Sequence, residues 1–106
     1  MRVERAAMLP EGLWFDRRGR PIDVAEMVRL SQDAAYRVVA RDWVGSVEVA
    51  TVWLGFDHSF RSAEPVLFET VVFGGRMDQY SRRYGTEKEA RVGHAKVLSS
   101  VKRLSR

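Results

Sequence analysis

Four side chains in this 106-residue chain have the chemistry of an active or metal site: Asp57, His58, Glu69 and His94. Histidines with carboxylates can hold a divalent cation or pass a proton. Their placement argues for a quieter role. Asp57 and His58 are neighbours, and neighbours on an extended segment point to opposite sides, so one ion would not be held by both. His94 falls on the inner side of a helical pattern, where a lone histidine is usually a hydrogen-bonded core residue. Glu69 shares a strand face with Leu67, Val71 and Phe73, which reads as half-buried and paired with an arginine or a histidine. The sequence therefore predicts a structural polar network of Asp57, His58, Glu69 and His94, with Asp57 accepting backbone amides in an Asx-type turn. A metal-dependent enzyme around the same four residues is the weaker reading. No residue is assigned as catalytic or as a metal ligand, and no cofactor is implied.

Other chemistries lack their residues. The chain has no cysteine, which removes disulfides and thiolate ligation and fits a reducing compartment. No serine stands in a G-x-S-x-G setting, and the glycine-containing GFDHSF and FGGRMD lack the lysine and helix of a phosphate loop. No apolar run reaches the ~20 residues of a membrane span, and the N-terminus has no signal-peptide core. The expectation is a cytoplasmic protein without membrane contact.

Charge is distributed unevenly. Residues 1–73 carry 9 basic and 11 acidic side chains, whereas residues 74–106 carry 9 and 3. A basic C-terminal third with interleaved Tyr80 and Tyr84 suits an anionic partner, and nucleic acid held by Arg76, Arg82, Arg83, Arg91 and Lys96 is an alternative reading. No recognised nucleic-acid motif organises these residues. A solvated basic helix face is the plainer account.

The elements that must position these groups can be read in order. Residues 1–13 lack periodicity and are expected to fray, leaving 14–106 as a single domain. Trp14 to Asp16 reads as a short strand and 17–20 as a turn. Asp23 with Glu26 marks a capped helix that ends near Gln32 or Asp33. Residues 36–43 and 47–54 read as two strands joined through Gly45. Gly55 to Pro65 is a long connection, of the length often found at functional loops. Strands at 66–73 and 79–84 follow. Thr86 with Glu89 caps the last helix, whose inner face carries Ala90, Gly93, His94, Val97, Val101 and Leu104. Gly93 on that face predicts a bulky sheet residue, such as a tryptophan, in close approach. Strands grouped together rather than alternating with helices predict an α+β fold: a small antiparallel sheet of three to five strands, a C-terminal amphipathic helix on one face and a short helix after the first strand.

The run TVWLGFDHSF at 51–60, the PVLFETVVFGG at 65–75 and the Gly93-His94 step together resemble a family of small proteins of tailed bacteriophages and prophages, especially those of actinobacteria. WFDRRGRPIDVAEMVRL, from residue 14, is also similar to that family's start, so the likeness covers about residues 14–98. Phe56 stands where the family pattern has leucine, and Arg-Ser-Ala-Glu at 61–64 replaces a glycine-rich stretch. The resemblance implies an origin and a setting, the bacterial host cytoplasm, but no activity. Accessory proteins of this kind commonly act on a host or phage protein. Phe56, Asp57, His58 and Phe60 on the long loop are the candidate partner-binding residues, with Phe56 and Phe60 as aromatic anchors. A sheet edge could also pair with its copy in a homodimer.

Overall fold

The computed structural model describes residues 14–57 and 64–105. The N-terminal segment 1–13 and the loop residues His58 and Phe60 lie outside the described residues. Among the described residues, three helices and four strands follow one another as α1 (Val24–Ser31), α2 (Ala34–Arg37), β1 (Val38–Val44), β2 (Val47–Trp53), β3 (Phe68–Phe73), β4 (Ser81–Tyr84) and α3 (Glu87–Leu104). The strands form one antiparallel sheet in the order β1-β2-β3-β4, with α3 across one face. The fold is α+β.

Local chemistry sets the ends of these elements. The Asp23 carboxylate accepts from the Glu26 amide at 2.8 Å and starts α1, while Glu26 turns its own carboxylate to Arg29. Thr86 and Glu89 form a reciprocal capping box at the start of α3. Gly45, with φ of 60°, opens the two-residue connection from Val44 to Val47, where tight hairpins require a positive φ.

Two expected elements differ. Tyr36 does not begin a strand. The Asp33 side chain accepts from the Tyr36 amide at 3.2 Å, and this cap winds residues 34–37 into a short helical turn. Strand β1 then starts at Val38 with a register shift between Val38 and Ala40. Trp14 and Phe15 make only isolated bridges, to Phe56 and Pro21, instead of a strand. Asp16 holds this hook closed by accepting the backbone amides of Arg18 and Arg20, each at 2.9 Å.

The sheet face under α3 carries Val47, Val49, Thr51 and Trp53 of β2 and Phe68, Thr70 and Val72 of β3. All are buried. One apolar cluster joins Leu30, Val39, Trp53, Leu67, Phe68, Tyr84 and Ala90. A second joins Val47, Val49, Val72, Val97 and Val101. Leu104, expected on the inner face of α3, is instead exposed beyond the edge of this packing. The close neighbour of Gly93 is Tyr84 and not a tryptophan: a Cβ at Gly93 would lie 2.1 Å from the Tyr84 ring.

Arg17 ties the hook to the start of α3. Its guanidinium donates to both Glu87 carboxylate oxygens, at 2.6 and 2.9 Å, and to the Tyr36 carbonyl at 3.0 Å. Hydrogen bonds from Arg17 hold the Glu87 carboxyl below its ordinary value of 4.5, assisted by Arg91.

Two outcomes follow for stability. Gly93→Ala gains ~1 kcal/mol of helix propensity but drives a methyl group into a buried ring. The net effect in urea unfolding should be a loss of about 1–2 kcal/mol, and in a Tyr84→Leu background the same change should become neutral or stabilising. Glu87→Gln should lose about 1–2 kcal/mol at neutral pH. Because the folded carboxyl titrates below the unfolded one, the wild-type stabilisation is complete above the ordinary 4.5 and fades as pH falls through the lower folded value. The variant's unfolding free energy should therefore be flatter across that acid range.

Candidate functional site

A row of polar side chains crosses the core between the two apolar clusters. Thr51 on β2 and Thr70 on β3 are directly paired in register, and their hydroxyls are hydrogen-bonded to each other. Thr51 Oγ1 lies 2.7 Å from His94 Nδ1, and His94 Nε2 lies 2.7 Å from Asp42 Oδ2 on β1. Both threonines are fully buried and His94 is 5% exposed, while about half of the Asp42 side chain reaches solvent.

The hydrogen bonds have one fully satisfied order for a neutral imidazole. Thr70 donates to Thr51, Thr51 donates to Nδ1, and Nε2–H donates to the Asp42 carboxylate. A doubly protonated ring would instead donate from Nδ1 to Thr51, leaving one of the two hydroxyl hydrogens without an acceptor in the row. Hydroxyl, imidazole and carboxylate in a row are also the parts of a nucleophilic triad. Here the hydroxyl lies beneath α3 with no exposed surface, so no substrate carbonyl can approach it. The arrangement satisfies buried polar groups and fixes the register of α3 on the sheet.

The residues singled out from the sequence are dispersed. His94 is in this row, but its partners are Thr51, Thr70 and Asp42. Glu69 points to the opposite sheet face, where Arg83 pairs with it at 3.4 Å. Asp57 accepts from the Val66 amide at 2.9 Å and so fastens the two ends of the long loop. Phe56 is half-buried against Trp14, with ring centroids 5.2 Å apart, and therefore is not a free aromatic anchor. Among the described residues, no three His, Asp or Glu side chains converge as a metal ion would require. Thr51 and Thr70 sit at core parity in strands whose other core positions are apolar, which marks them as buried but gives neither them nor Asp42 as a partner of His94.

The basic residues also separate. Arg91 is taken up by Glu87 at 2.9 Å, and Arg76 is exposed in the β3–β4 turn. Arg82, Arg83 and Lys96 line one groove between β4 and α3, together with Lys88.

The sheet face away from α3 is a second candidate surface. The cross-strand row Trp43–Glu48–Phe73 lies on it, followed by Arg41–Ala50–Val71 and by Val52–Glu69–Arg83. Trp43 is 59% and Phe73 49% exposed. The ion pairs Arg41–Glu48, at 2.8 Å, and Arg83–Glu69 flank these apolar side chains. Among the described residues, no helix is long and apolar enough to cross a membrane. No protein-family profile, curated protein or solved structure matches the chain.

Substitutions along the polar row should differ by burial. His94→Ala should cost about 2–4 kcal/mol, since it opens a cavity and leaves the buried Thr51 hydroxyl without its acceptor. Asp42→Asn keeps an acceptor for Nε2–H in a half-solvated place and should cost under ~1 kcal/mol. Urea denaturation of both variants measures the contrast.

Proposed function

We propose that this chain is a non-enzymatic accessory protein of phage or prophage origin that acts in the host cytoplasm by binding a host or phage protein. The contact surface in this reading is the uncovered sheet face and not the long loop. One observation carries it: two large aromatic side chains, Trp43 and Phe73, stand about half exposed on a single cross-strand row. Soluble domains rarely leave clustered aromatic surface open without a use for it. Tryptophan is also the residue most often found to dominate protein–protein affinity. The half-buried Val52 and Val71 extend the apolar centre, and the two ion pairs supply a charged rim of the kind that interfaces carry. The phage setting is supported by the resemblance of residues 51–60 and 65–75. The non-enzymatic character is supported by the burial of the Thr51–His94–Asp42 row.

Trp43→Ala and Phe73→Ser remove little core packing and should change unfolding stability by less than ~1 kcal/mol. Each should weaken capture of the partner by roughly 30-fold, the loss of a hot spot worth ~2 kcal/mol. The measurement is cross-linking of tagged wild-type and variant protein in host cells, with the captured proteins identified by mass spectrometry. Partners held equally by wild type and the double variant would refute this face as the contact surface. Sedimentation of the wild type in parallel reveals whether the occupant is a second copy.

A further inference from the structure

We propose that the groove between β4 and α3 is a binding site for a phosphate ester, independent of whatever the sheet face holds. Its walls include Arg82 and Tyr84 from the edge strand and Lys88, Val92, Gly93 and Lys96 from the helix, around a volume of about 450 Å³. That is the size of an ordinary small-ligand cleft.

Charge is the first argument. Lys88 and Lys96 are exposed and meet no carboxylate among the described residues. Among the described residues, Arg82 has only the Tyr84 ring, 5.7 Å from its guanidinium carbon. The acid that also lines the groove, Glu89, is occupied with the Thr86 and Gly85 amides, at 3.2 and 3.3 Å. Arg83, the fourth cation there, is paired with Glu69. Three uncompensated cations exceed what one carboxylate neutralises and suit a phosphate. Lys88 and Lys96 are two turns apart on α3, about 12 Å along its axis, so the positive strip is elongated.

A buried donor is the second, independent argument. Tyr84 is only 7% exposed, and its hydroxyl is the one fully buried side-chain polar atom without a hydrogen-bond partner among the described residues. It lies against Gly93, and both residues belong to the groove wall: a Cβ at Gly93 would come 2.2 Å from that oxygen. Buried polar groups left unpaired are uncommon and call for a reason. The hydroxyl has no exposed surface in the free protein, so an anionic oxygen in the groove meets it once the Tyr84 ring shifts toward the cleft that it lines.

The phosphate could belong to a free nucleotide or to a nucleic-acid strand, and one titration series separates the two. The probes are inorganic phosphate, adenosine monophosphate and a single-stranded decanucleotide, titrated calorimetrically into the full chain at low salt. Saturable one-to-one binding of at least one probe is expected. A decanucleotide bound far more tightly than the monophosphate, with steep salt dependence, identifies a strand. Equal affinity identifies the free ester. Lys88→Glu with Lys96→Glu, both at exposed helical positions, should abolish binding while leaving the melting curve in place. Tyr84→Phe should weaken binding about tenfold, in keeping with one lost hydrogen bond to a charged group, without lowering the melting temperature, because the hydroxyl has no partner to lose in the free protein. No binding of any probe, binding that survives the double lysine substitution, or unchanged affinity in Tyr84→Phe would each overturn the assignment.

Discussion

The rest of this structure depends on one close approach, that of Gly93 on α3 to the Tyr84 ring at the end of β4. Any side chain at position 93 would hold the helix off the sheet, because the ring already fills that space. With the helix seated at that distance, the next residue, His94, reaches down to Thr51 and across to Asp42. Three strands and the helix are thus joined through a single imidazole. The packing of Val97 and Val101 against Val49 and Val72 follows from the same seating.

The polar row explains why the core is divided in two. Along β2 the inward residues run Val49, Thr51, Trp53, and along β3 they run Val72, Thr70, Phe68, so the hydroxyls form a layer between apolar neighbours. Apolar packing is non-directional, and a helix with a valine face could slide on a valine sheet at modest loss. Sliding this helix by one residue would strand the buried Thr51 hydroxyl hydrogen and an imidazole, each a substantial penalty. The layer adds little net stability by itself, since desolvation offsets its bonds. Its contribution is to make one register much better than its neighbours. That role also accounts for a triad-like order of groups in a place closed to any substrate.

Much of this was legible along the chain, and the illegible parts share a cause. The α3 helix, its capping box and the β1–β2 hairpin depend on residues a few positions apart, and they stood out as expected. Tyr36 was misread because its strand-like alternation is real, while the Asp33 side chain, three residues earlier, decides the local conformation by capping a turn. The partners of His94 lie 43 and 52 residues away, and nothing local distinguishes a threonine chosen for its hydroxyl from one chosen for strand propensity. Glu69 could be given a face by parity, but not a partner, because its partner depends on which strand lies alongside. The close approach at Gly93 was readable as a need for space, and only the sheet order shows that Tyr84 occupies it.

The same economy of groups shapes what is left at the surface. Among the described residues, a single long helix covers one face of a four-stranded sheet, the opposite face keeps its aromatic row and the β4 edge keeps a groove beside the helix. The acids, meanwhile, are committed within the fold. Asp16, Asp23 and Asp33 close turns and caps, Asp42 holds His94, Glu48 and Glu69 pair across strands, Glu87 binds two arginines and Glu89 completes a capping box. Local pairing among the described residues, more than the formal charge of +4, therefore decides where positive charge faces solvent. Arg82, Lys88 and Lys96 are left facing solvent together because structural needs have consumed the carboxylates that could have met them. A cationic groove beside an edge strand follows from the basic excess of residues 74–106 together with how the fold spends its acids.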